Sequence, residues 1–173
     1  NCVLTGNSAR WYGGGAFIST LIGCTLTGNS AEHGGGAANS MLVDCAVLGN
    51  SAIVSGGGVY RGWQVNCNFQ GNSAGSGGAA SEGMMVNCTL SANSAINGGG
   101  ADVSALTNCS IIGNRASQGG AVHGGTLVSC TVFLNYATNY GGGSHSAVVV
   151  DSILSTNSAG ISGGGAYSGT LTN

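Results

Sequence analysis

Asp102, His123 and His145 are the residues best suited to do chemistry in this chain, and they follow one another at intervals of 21 and 22 residues. A carboxylate beside two imidazoles could hold a divalent metal, or titrate close to neutral pH. Seven cysteines, Cys2, Cys24, Cys45, Cys67, Cys88, Cys109 and Cys130, recur at the same intervals. Thiols can pair as disulfides, ligate metals or serve as small buried hydrophobes. Which of these applies depends on the elements that place them, and the constant interval is the first clue to those elements.

Aligned on cysteine, with Ser152 in the eighth place, the whole chain falls into one repeat. Five residues after each register position stands an asparagine: Asn7, Asn29, Asn50, Asn72, Asn93, Asn114, Asn135 and Asn157. An alanine follows two residues later in every copy, from Ala9 to Ala159, and then two glycines, from Gly13-Gly14 to Gly163-Gly164. Self-similarity at such a period marks a stacked-coil architecture. Between the alanine and the glycines lie two residues (Glu32, His33) or three (Arg10, Trp11, Tyr12), and this corner absorbs all variation in the period. A point that tolerates insertion is an external loop.

Around each cysteine the residues alternate. The cysteines and the residues two later (Leu4, Leu26, Val47, Phe69, Leu90, Ile111, Val132, Leu154) are apolar, while those between them (Thr25, Asn68, Thr89, Ser110, Thr131) are mostly polar. Period-two alternation predicts a half-buried strand. A coil of this length cannot bury its apolar face alone, so identical coils must stack. Leucine-rich repeats share the period but need a leucine frame and a helical side; here there are 35 glycines and no helix-period segment. The expected fold is all-β, a right-handed parallel β-helix of about eight coils of 21–22 residues, roughly 40 Å long at the strand spacing. The asparagines are expected to stack as an amide ladder at a corner.

Residues 1–173 read as one β-helix domain without caps. Asn1 and Asn173 occupy the same place in the repeat, and open coils expose unpaired strand edges. The expectation is a segment of a longer chain, or a fibre subunit that associates with itself end to end. Three arginines, five carboxylates and no lysine argue against a nucleic-acid partner, which needs clustered cations. No apolar run reaches the ~20 residues of a membrane-spanning helix, and no cofactor is expected. The stacked cysteines are expected to be free core residues, since parallel stacking holds their Cβ atoms further apart than a disulfide prefers.

Paired Gly-Gly-Ala and Phe-x-x-Asn blocks, clearest in Phe69-Gln70-Gly71-Asn72 and Gly77-Gly78-Ala79-Ala80, resemble the repeat of polymorphic outer-membrane proteins. The resemblance covers all eight coils and implies an extracellular β-helix at the outer cell surface, with a role in adhesion. Within residues 1–173 no stretch reads as that family's membrane barrel or secretion signal.

Register also predicts neighbours. Arg10 with Glu32, and Arg61 with Glu82, read as exposed ion pairs. The column Phe17, Ala38, Tyr60, Ser81, Asp102, His123, His145, Tyr167 is expected to face outward, its aromatics and those at the variable corner (Trp11, Tyr12, Tyr140) spread over distant coils. Met41, Trp63 and Met84 share a solvent-facing column and suggest a lateral contact with another chain. Asn87-Cys88-Thr89 and Asn108-Cys109-Ser110 match the glycosylation pattern and are placed on a strand.

Catalysis on polysaccharides needs clustered carboxylates or calcium, and Asp44, Asp102 and Asp151 lie in separate coils. The expectation is therefore a non-enzymatic structural protein, a rigid fibre or adhesin shaft, recognising a surface receptor or polysaccharide at its variable corners. The alternatives are carbohydrate binding, or ice binding through Thr5, Thr25, Thr27, Thr89 and Thr131, a pattern that Leu48, Gln70, Ile112 and Phe133 interrupt.

Overall fold

The computed structural model describes residues 1–173 and contains strands and turns but no helix. Eight coils stack in parallel as a β-solenoid. The first sheet has one three-residue strand per coil, from Val3–Thr5 and Thr25–Thr27 to Ile153–Ser155. Its middle residues form the inward ladder expected from the alternation, Leu4 on Leu26, Val47, Phe69, Leu90, Ile111, Val132 and Leu154. The second sheet runs unbroken through Ala37–Val43, Val59–Val65 and Ala80–Val86, and is divided into two short strands in the other coils. The third face is a discontinuous ladder in which Ser30–His33 pairs with Ser51–Ser55 and Arg115–Gln118 pairs with Tyr136–Tyr140. Single bridges through Ser73 and Ser94 carry the register between them.

From the second coil on, each coil closes through four left-handed backbone positions at fixed places in the repeat, with Gly62 and Gly125 adding a fifth in the third and sixth. In the fourth coil these are Asn66, Gly71, Gly77 and Glu82, with φ of 53°, 66°, 64° and 55°. The two glycines of the invariant pair do different things. Gly77 takes the left-handed conformation, whereas a Cβ on Gly78 would lie 2.2 Å from the Gly99 carbonyl oxygen and 2.7 Å from the Ser94 nitrogen. The second glycine is thus required by the close approach of the next coil.

Between the sheets lies one apolar core of 26 buried residues. Asparagine and cysteine ladders line it. The Asn72 N–H and Nδ2 both donate to Asn93 Oδ1 (2.9 and 3.0 Å), and Nδ2 also donates to the Val47 carbonyl (2.9 Å). The same pattern repeats up the column, so these fully buried amides have partners for both polar atoms. All seven thiols are free and all but Cys2 are buried. The Cys24 N–H donates to Cys45 Sγ (3.4 Å), and Cys45 Sγ donates to the Val43 carbonyl (3.2 Å). Burial pushes the Cys45 thiol up, which suits a core hydrophobe better than a nucleophile.

Candidate functional site

The Asp102 column sits beside the glycine corner, and that corner changes its exposure. Strand parity places it outward, but Ala38, Tyr60 and Ser81 are buried, at 0%, 8% and 2% exposure. The reason is the left-handed glycine four residues earlier, which folds the chain back against the column. A Cβ on Gly34 would lie 2.8 Å from Ala38 Cβ, and one on Gly77 2.9 Å from Ser81 Cβ. The column therefore lies in a crease, walled on its other side by the last residues of the variable corner.

Across that crease the aromatics gather, against the expectation that they are dispersed. Tyr12 stacks on Phe17 (5.7 Å) and His33 (5.4 Å), and His33 lies 4.9 Å from Tyr60. A second stack joins His123 to His145 (5.0 Å), His145 to Tyr167 (5.3 Å) and Tyr140 to Tyr167 (4.7 Å). Sequence reasoning missed His33 because it aligned each column alone. The signal was available in the three-residue corners, which bring Tyr12 and Tyr140 level with the crease. Within the stacks the ring faces meet one another, which leaves mainly ring edges for a ligand.

Asp102, His123 and His145 are adjacent in register, as predicted, but they do not converge on a point. The His123 Nδ1 and Asp102 Oδ1 are 2.7 Å apart. The two imidazoles are stacked 5.0 Å apart at an interplanar angle of 17°, which keeps their in-plane lone pairs on parallel tracks. A metal bound at ~2.1 Å to each nitrogen cannot span that separation, and no three His, Cys, Asp or Glu side chains form a group able to hold an ion. The metal candidate is replaced by a stacked imidazole pair, one ring of which is hydrogen-bonded to Asp102. The His145 Nδ1 is buried without a partner, and burial first, then the charge of His123, hold the His145 pKa below its ordinary value.

Of the two expected ion pairs one forms. Arg61 Nη2 lies 2.7 Å from Glu82 Oε2, with both side chains about half exposed. Arg10 instead lies over the Trp11 ring at 4.7 Å, and Glu32 approaches His33 at 3.9 Å. Coil one carries an extra corner residue, so Tyr12 rather than Trp11 bridges to His33 and Arg10 loses its register with Glu32. A shallow open hollow of about 510 Å³ runs between these two residues along the third face, and one of about 290 Å³ lies beside Arg115 and Tyr136.

Asn87 and Asn108 lie at a left-handed corner (φ 54° and 51°) before their strands, not on them. They belong to an exposed amide ladder that sequence reading did not find. Asn66 Nδ2 donates to Asp44 Oδ1 (3.0 Å), Asn87 to Asn66 (3.3 Å) and Asn108 to Asn87 (2.7 Å). The recurrence of Asp or Asn immediately before cysteine was its signal. On the first sheet only one coil, with Thr25 and Thr27, carries threonine in both outward columns. Met41, Trp63 and Met84 stand in register on the second sheet, 41%, 60% and 47% exposed.

The chain matches no protein-family model and no curated protein sequence. The likeness drawn from the Gly-Gly-Ala and Phe-x-x-Asn blocks therefore carries as far as the stacked parallel coils. No helix of the molecule is long and apolar enough to cross a membrane.

Proposed function

We propose that the chain is a non-enzymatic structural rod, the shaft of an extracellular fibre or adhesin, extended by coil-on-coil stacking. The observation that carries this reading is the register of the two large sheets, which runs through all eight coils. Every residue type that recurs in all or nearly all coils is spent on the scaffold: asparagine on its ladder, cysteine and leucine on the core, glycine on the corners. The acidic groups are dispersed, with Glu82 bound to Arg61, Asp102 to His123 and Asp44 to Asn66. A further coil, from the same polypeptide or another, can continue the same ladders. The surface location is supported by the repeat resemblance, and recognition of a receptor or polysaccharide falls to the variable corners, where side chains differ between coils.

Electron microscopy of the native material, with intact mass measured on the same sample, tests this. Unbranched fibres or rods are expected, built either from chains of 16.7 kDa or from a larger chain containing these coils. Discrete compact particles with hydrolytic activity on polysaccharide would overturn it.

A further inference from the structure

Over the last three residues of its strands the second sheet turns two side chains per coil outward, from Thr20 and Ile22 in the first coil to Thr170 and Thr172 in the last, with the exposed Asn39, Arg61 and Glu82 bordering them in coils two to four. Eleven of these sixteen positions are apolar, the other five are threonine (Thr20, Thr107, Thr126, Thr170, Thr172), and none is charged. Several are widely exposed: Trp63 60%, Ile22 60%, Met84 47% and Val148 42%. The first sheet differs, its outward columns mixing Asn68, Gln70, Ser91 and Ser110 with Leu48 and Phe133. A continuous apolar face of this length marks an interaction surface.

We propose that this face joins two copies of the chain, antiparallel, about a two-fold axis lying in the interface at the level of Met84 and Val86. Three features select a second copy. The first is area. Seven overlapping coils at ~4.8 Å, two columns wide, give a face of roughly 35 by 15 Å. Two such faces bury about 1,000 Å², the threshold for a specific interface. The second is chemistry. An occupant must be apolar over these two columns and must match side chains repeated at the strand spacing, and the columns meet both requirements for themselves.

The third is shape. Trp63, the largest side chain on the face, and Ala105, the smallest, stand in one column on either side of Met84. A two-fold axis along the Met84 strand faces each column with itself in reverse order. Trp63 then fills the hollow over the partner's Ala105 at both symmetry-related places, as an isologous interface requires. Met41 meets Thr126, and Val43 meets Val128. Parallel packing lays Trp63 against Val65 of the same coil, where there is no hollow.

The test uses the full chain with Cys2→Ser, which removes the one exposed thiol. Sedimentation at micromolar concentration is expected to show particles of twice the 16.7 kDa chain mass. Trp63→Arg is expected to halve that mass while leaving the β-sheet circular dichroism intact. Met84→Cys is expected to form a cross-linked dimer on mild oxidation, whereas Val148→Cys, six coils from its own symmetry mate, is not. End-to-end stacking raises the mass without cross-linking Met84→Cys, so the two modes are separable. A monomer at all concentrations, a mass indifferent to Trp63→Arg, or cross-linking through Val148→Cys overturns the proposal.

Discussion

His145 shows how a single side chain can be placed correctly by sequence and still behave unexpectedly. Its register beside His123 and Asp102 follows from counting residues, but its burial follows from a glycine turn that counting does not describe. The consequence is a pH dependence of definite sign. The fold holds the His145 pKa below the ordinary value, so the unfolded chain binds its proton first. The stabilising contribution of neutral His145 is complete above about pH 6.5 and is lost as pH falls from there towards the folded value. The melting temperature of the native chain is expected to drop more between pH 8 and 5 than that of His145→Phe, which keeps the stack without the titration. Equal drops in the two proteins would show that protonation of His145 is not linked to folding. The metal candidate failed for a related reason: equal spacing stacks side chains, and stacked rings do not converge.

At the scale of the coil, strands were legible and corners only in part. Alternation around Leu26, Phe69 or Leu90 identifies a strand whatever lies elsewhere, because the strand period is local. The left-handed positions have no such signature. Their columns hold glycine and asparagine but also Ile18, Val103 and Leu134, residues that stacking forces into a conformation they seldom adopt. The two kinds of corner glycine should separate on substitution. Gly71 has open space around an added Cβ and a φ of +66°, so Gly71→Ala is expected to cost about 1 kcal/mol. Gly78→Ala drives a methyl into the backbone of the next coil and is expected to cost about 4 kcal/mol or more. Chemical denaturation of the two variants checks this, and similar costs would mean that the coils can separate locally to admit a side chain.

Across the whole molecule, what the sequence displays is translation: each coil contacts only its neighbours, so stability is a sum of coil and interface terms. Removal of residues 88–108, one full repeat from Cys88, joins Asn87 to Cys109 in register. The shortened chain is expected to fold with the same circular dichroism per residue, melting within about 5 °C of the parent, whereas removal of residues 88–98 alone should leave it unfolded. A full-repeat deletion that failed to fold would mean that coils four to six are not equivalent. The apolar face was legible only as the row Met41, Trp63 and Met84, because its second column is mostly valine, which, one coil at a time, looks like an ordinary strand residue. The asparagine ladder has a direction as well. Every Oδ1 from Asn29 to Asn157 accepts from the coil before it, so the amide carbonyl dipoles point one way along the axis. A single rod is therefore electrically polar, with unlike ends, and two rods packed antiparallel cancel that polarity.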